Sequence, residues 1–179
     1  MAVPSNAEDA TGLLRAALRG NDPVIFFEHR GLFDLAWSRR PYPGDDFVVP
    51  FGQAKTITSG TDLTVVTWGA LVDRCETAAS GHSVEVLDLR TLMPWDRDAV
   101  LESVRKTHRC LIVHEDSATA GFGSEIAAVV SEQCFFDLDA PVERLTMPDI
   151  PCPYNPELLA AAVPGVDRIR GAIENLISF

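Results

Sequence analysis

Four junctions in the sequence gather side chains that could do chemistry, each where an apolar run gives way to polar residues: Trp68-Gly69, Asp88-Leu89-Arg90-Thr91, His114-Glu115-Asp116 and Met147-Pro148-Asp149. Imidazole and carboxylate at His114 and Glu115 could act as general base and acid near neutral pH. If that run is a strand, adjacent side chains point to opposite faces and would not share a substrate. A structural or interface role is therefore the reading adopted for the pair. Ala120-Gly121-Phe122-Gly123-Ser124-Glu125 could open a helix and cradle an anion on free backbone amides. It holds two glycines of the dinucleotide fingerprint, lacks the third, and follows a later strand than the fingerprint does. A tight turn that brings helix and sheet close is the expectation there. Asp88 and Arg90, with Thr91 beside them, are expected to bond each other or nearby loops. Pro148, Pro151 and Pro153 stiffen the segment that carries Asp149 and Tyr154, and a rigid exposed loop with a tyrosine suits a partner contact. No G-x-S-x-G elbow and no P-loop occurs.

The elements that must position these residues alternate. Residues 63–68, 83–89, 110–114 and 142–147 read as strands, rich in Val, Leu, Ile and Thr. Between them, residues 69–79, 96–106 and 121–133 carry helical spacing, with Asp96 as an N-cap and Arg105, Lys106 and His108 at the dipole's negative end. Asn155-Pro156 starts a short helix, and Ile169, Ala172, Ile173 and Leu176 line one face of a last one. Strand–helix alternation of this kind predicts an α/β fold, a mostly parallel sheet with helices on both faces. Upstream, residues 10–19 read as a helix capped by Asp9 and stopped by a left-handed Gly20. Residues 24–28 read as a short strand with no local partner, as if the rest of its sheet lay elsewhere. Residues 38–61 are rich in Pro and Gly and read as a linker or long loop, with a brief edge strand at 47–49.

Composition narrows the function classes. Of 179 residues, 46% are hydrophobic and 23% charged, an ordinary globular balance. The 15 basic residues against 26 acidic ones give a net charge of −11, which argues against binding a phosphate backbone. No apolar run approaches the roughly 20 residues of a membrane span, and the first residues carry no secretory pattern. Cys75, Cys110, Cys134 and Cys152 stand at no metal-ligand spacing and read as free thiols of a reducing cytoplasm. The four histidines form no zinc pattern.

The junctions, taken in order, resemble one family. The strings are Asn21-Asp22-Pro23-Val24-Ile25-Phe26-Phe27-Glu28-His29-Arg30, Val49-Pro50-Phe51-Gly52-Gln53-Ala54, Val84-Glu85-Val86-Leu87-Asp88-Leu89-Arg90-Thr91-Leu92-Met93-Pro94-Trp95-Asp96, Ile112-Val113-His114-Glu115-Asp116, Gly121-Phe122-Gly123-Ser124-Glu125-Ile126 and Pro148-Asp149-Ile150-Pro151-Cys152-Pro153-Tyr154. They look like the beta subunit of the thiamine-diphosphate-dependent 2-oxo-acid dehydrogenases, which act on pyruvate, branched-chain 2-oxo acids or acetoin. The resemblance implies a remnant of the pyrimidine-binding domain at 1–35, a linker at 36–48 and a transketolase C-terminal domain at 49–179. It also implies that the cofactor-activating glutamate, the active-site histidine loop and the Gly-Asp-Gly motif for diphosphate and magnesium have no counterpart here. Gly44-Asp45-Asp46 is the nearest string, and no Asn follows it until Asn155.

No catalytic, cofactor-binding or metal residue is thus expected from this chain alone. An interface or structural role is expected of Asp88, Arg90, Thr91, His114, Glu115, Gly121, Gly123, Asp149, Pro151, Tyr154 and Phe179. The partners implied are an alpha subunit, a second beta subunit and the binding domain of the acyltransferase core, with no nucleic acid and no membrane. The alternative reading is a stand-alone α/β module that holds a small anion in the strand-end crevice.

Overall fold

The computed structural model describes residues 1–179. A five-stranded sheet runs in the order β1-β3-β2-β4-β5, with β1 at Lys55–Thr58, β2 at Leu63–Thr67, β3 at Val84–Asp88, β4 at Cys110–Ser117 and β5 at Glu143–Met147. Every pair is parallel except β1 with β3, which is antiparallel. The helices are α1 (Ala7–Arg19), α2 (Leu71–Ala79), α3 (Arg97–Thr107), α4 (Gly123–Gln133), α5 (Pro156–Ala162) and α6 (Val166–Ile177). The alternation expected from the sequence is present, and the fold is the α/β sheet it implied.

Strand periodicity divides the core. Leu63 and Val65 of β2 face one way, onto Leu71 and Cys75 of α2 and Ile169, Ile173 and Leu176 of α6. Val66 faces the other way, onto Val100 and Val104 of α3 and Ile126 and Val130 of α4. Both faces of the central strands are thus buried, which is why they read as continuous apolar runs rather than alternating ones. Burying each such Leu, Ile or Val contributes on the order of 1.5–3 kcal/mol.

Four sequence expectations need correction. Asn6, not Asp9, caps α1, its side chain accepting the Asp9 amide, because Asp9 is engaged elsewhere. Gly20 ends that helix in extended backbone (φ −82°) rather than left-handed. Residues 24–28 form only a single bridge, Phe26 with Ala2, and residues 47–49 form no strand. The edge strand lies later, at β1, whose polar Lys-Thr-Ile-Thr sequence hides it inside the Pro/Gly-rich stretch.

The first fifty residues lean on the sheet. Ala2, Leu13 and Val49 make a small core with Phe26, Phe47 and Phe51. Met1 to Val3 continue the strand layer through backbone bonds from Val3 N to Arg90 O and from Leu92 N to Met1 O.

Candidate functional site

The strand order reverses between β2 and β4, and in open α/β sheets ligands favour the crevice at that point. Here side chains fill it. His114, at the end of the buried part of β4, stacks on Trp68 with ring centroids 5.3 Å apart and planes 12° from parallel. Phe122 meets Trp68 edge-on, and Trp95 meets Phe122. From below, the turn into α4 closes on the imidazole. A methyl group at Gly123 would lie 2.5 Å from His114 Cδ2 and Nε2, and one at Gly121 would lie 2.8 Å from Cε1 and 2.4 Å from the Ser117 carbonyl oxygen. The two glycines are needed for this close approach.

His114 is 1% exposed and neither ring nitrogen has a hydrogen-bond partner. Desolvation by burial holds its pKa below the ordinary histidine range, so the ring is neutral at physiological pH. Glu115 points the other way and pairs with His29 at 3.2 Å. That hydrogen bond raises the pKa of His29. The two side chains of the His-Glu dipeptide therefore share no site.

A second cluster lies at the end of β3. The Asp88 carboxylate accepts the Ser5 hydroxyl at 2.6 Å and the Arg90 amide at 3.0 Å. The Arg90 guanidinium reaches past Asp88 to Asp9 Oδ1 at 3.1 Å and to the carbonyls of Gln53 and Ala54. Asn6 Nδ2 donates to the other oxygen of Asp9 at 2.6 Å, and Thr91 Oγ1 accepts the Gly52 amide. Arg90 holds this position at φ +58°, a left-handed conformation unusual for a side-chain-bearing residue. The network ties the first turn of α1 to the sheet.

Burial raises the Asp88 carboxyl to about 7, above its unfolded value of roughly 3.9. The folded state then keeps a proton that the unfolded state releases. That contribution to stability is complete below about pH 4 and is lost as pH rises through about 7. Asparagine mimics the protonated carboxyl, so Asp88→Asn should flatten the decline in stability between about pH 4 and pH 7. Urea midpoints of both chains across that range check it. Equal slopes would contradict a proton held at Asp88.

At the end of β5, Asp149 accepts both the Thr119 amide (2.9 Å) and its hydroxyl (2.6 Å), and these bonds hold its pKa below the usual carboxylate range. Arg144 donates to Ala118 O and Ser124 Oγ, so the loop 117–122 is pinned from two sides. Pro151 and Tyr154 stand exposed beyond it, and Phe179 is exposed at the other end of α6.

The residues present do not fit a magnesium diphosphate group. Asp45 takes the Tyr42 hydroxyl in an exposed turn, and no cluster of acidic, His or Cys side chains is arranged to hold a metal. Sequence reasoning missed Ser5, Asp9 and His29, the remote partners of Asp88, Arg90 and Glu115. Each lies some eighty residues away, and no spacing rule links them.

Residues 52–169 match the transketolase C-terminal domain family. The chain is 42% identical to the 2-oxoisovalerate dehydrogenase subunit beta of Bacillus subtilis, over 99% of this chain and 55% of that protein. It is 40% identical to the pyruvate dehydrogenase E1 component subunit beta of Porphyra purpurea, over 97% of this chain and 53% of that protein. It is 39% identical to the acetoin:2,6-dichlorophenolindophenol oxidoreductase subunit beta of Cupriavidus necator, over 94% of this chain and 51% of that protein. The chain thus spans about half the length of these relatives. A split-gene transketolase solved as an inactive beta4 tetramer shares the fold, with TM-score 0.75 and 23% identity over 99% of this chain and 56% of that one.

Proposed function

The chain belongs to the transketolase C-terminal domain family, and on that premise we propose that it serves as the C-terminal assembly domain of a 2-oxo-acid dehydrogenase beta subunit. In this reading residues 49–179 are that domain, 36–48 a linker, and 1–35 part of the pyrimidine-binding domain. Oxidative decarboxylation of the 2-oxo acid, with thiamine diphosphate and magnesium, belongs to the complete cytoplasmic enzyme. This chain contributes surfaces and no reacting group.

The likeness to dehydrogenase beta subunits carries the reading. The sheet and its helices close their own core on both faces, and residues 14–33 hold apolar side chains into solvent, as Phe135, Phe136 and Leu158 do farther along the chain. Leu18 is 78% exposed, Ile25 58% and Phe33 61%. The amide and carbonyl of Phe26 make no backbone hydrogen bond. Unpaired backbone at this bridge, flanked by exposed apolar side chains, suits further structure packed against it. The relatives it resembles are about twice as long as this chain, which leaves room for such structure in a full-length subunit.

The filled switch-point crevice supports no separate role as an anion-binding module. The exposed segment with Pro151 and Tyr154 is assigned to the alpha subunit, and the end of α6 with Phe179 to the binding domain of the acyltransferase core. Tyr154 is fully exposed, so Tyr154→Ala should leave the melting temperature unchanged. It should weaken association with an alpha chain by about tenfold, or 1.4 kcal/mol, as an interface tyrosine does. Sedimentation velocity with a 2-oxo-acid dehydrogenase alpha chain measures this. Equal affinity for both proteins would remove the assignment.

A further inference from the structure

Residues 4–48 meet residues 49–179 without a backbone hydrogen bond, so the polar bonds across this joint run through side chains. Two titratable groups sit in it, at separate places. At the end of β3 the carboxylates of Asp9 and Asp88 are both buried, and one guanidinium serves them. Arg90 directs it to Asp9 at 3.1 Å. Lys55 pairs with Glu8 at 3.2 Å and stands 4.0 Å from Asp9. Asp88 is left with uncharged donors, the Ser5 hydroxyl and the Arg90 amide. Cys75 faces it from α2 as a thiol that burial pushes up to about 12, and so brings no charge. Burial, and to a lesser degree the Asp9 charge, favour a protonated Asp88 against the bonds that favour the anion. At the outer end of β4, His29 Nε2 meets Glu115 at 3.2 Å. That bond favours the imidazolium and outweighs burial and the charge of Arg74 on α2. Protonation replaces the bond that His29 Nδ1 accepts from the Gly31 amide, at 3.2 Å and exposed, with a charged bond to Glu115.

We propose that the joint is a proton-linked latch: residues 4–48 dock on the sheet with a proton on Asp88 and on His29, and loss of these protons loosens α1. The two groups act in the same direction. Each holds its proton more tightly docked than released, so docking is firmest in acid. The Asp88 contribution is complete below about pH 4 and is lost as pH rises through about 7. The His29 contribution is complete below the ordinary histidine value of about 6.5 and is lost as pH rises through its raised one. A 13-residue helix freed from its packing is marginal in water, so an undocked α1 unfolds. The latch lies wholly within this chain and stands independently of the assembly role.

Hydrogen–deuterium exchange of the full chain, read by mass spectrometry at about pH 5 and about pH 8 and corrected for intrinsic exchange rates, tests it. The expected result has two parts. Peptides of α1 are less protected than β2 and β4 at both pH values, because α1 opens without the rest of the chain. Their protection falls by at least about tenfold from the lower pH to the higher. Asp88→Asn keeps the uncharged form throughout and should remove most of that fall. Glu115→Gln, at a half-exposed pair, should remove a smaller part, and the double variant nearly all of it. Equal protection of α1 at both pH values would overturn the proposal. So would an α1 that exchanges no faster than β2 and β4, or a fall that the double variant keeps.

Discussion

Arg90→Ala should destabilise the chain by about 3–5 kcal/mol, the cost of removing one partner from a buried ion pair. Asp9 is 1% exposed and would keep only Asn6 Nδ2 and Lys55, the latter at 4.0 Å. The carbonyls of Gln53 and Ala54 would lose their guanidinium donor as well. The backbone contributes in the opposite sense. At φ +58° an L-residue carries roughly 1–2 kcal/mol of strain, which Arg90→Gly relieves and Arg90→Ala does not. Arg90→Gly should therefore be the milder variant, by about 1 kcal/mol.

Asp9→Asn discharges the orphaned carboxylate, so the double variant Arg90→Ala with Asp9→Asn should lose less than the sum of the singles. Urea denaturation of the four proteins gives the coupling. Additive losses would mean that the pair does not tie α1 to the sheet. Trypsin offers a local reading, since Arg15 and Arg19 lie on α1. In Arg90→Ala they should be cut before the rest of the chain.

The second large effect is expected at the turn beneath His114. Gly121→Ala and Gly123→Ala should each cost about 2–3 kcal/mol, as overpacking does, and lower the melting temperature by roughly 5–10 °C. The imidazole cannot retreat from Gly123, because Trp68 stacks on it. The partners predict different rescues. His114→Ala removes the two atoms that a Gly123 methyl meets at 2.5 Å, leaving Ile112 Cγ2 at 3.2 Å, so it should recover most of the loss in Gly123→Ala. It should recover little in Gly121→Ala, whose methyl also meets the Ser117 carbonyl at 2.4 Å. If the turn served to cradle an anion, Gly123→Ala would instead weaken phosphate binding and leave stability alone. Thermal melts of the singles and doubles, with and without phosphate, separate the two cases.

These two sites show what was legible in the sequence and what was not. The central strands were readable because burial on both faces makes each a run of Val, Leu and Ile bounded by turn residues. The helices between them were readable from caps and 3.6-residue spacing, Asp96 among them. β1 was not, because an edge strand that is half exposed carries polar residues and looks like the loop around it. The cap of α1 was misplaced because Asn6 and Asp9 both have capping chemistry, and the choice is made by Arg90, 81 residues away. Residues 24–28 have strand propensity, but propensity needs a partner, and only Ala2 is there to supply one. Around the crevice, the opposed directions of His114 and Glu115 followed from strand geometry alone. The Trp68 stack that fixes His114 did not, since strand order is a property of the assembled sheet.

On the proposed reading, this chain is expected to support 2-oxo-acid chemistry only within a larger assembly. That expectation is tested most directly by following reduction of dichlorophenolindophenol with pyruvate or 2-oxoisovalerate, thiamine diphosphate and magnesium. The chain is assayed alone and then mixed with an alpha chain and a polypeptide covering the first half of a related beta subunit. The expected result is no turnover and no cofactor binding by the chain alone, and turnover in the mixture that is lost when this chain is left out. Turnover by the chain alone, or cofactor binding to it with a Kd in the micromolar range, would refute an assembly-only role.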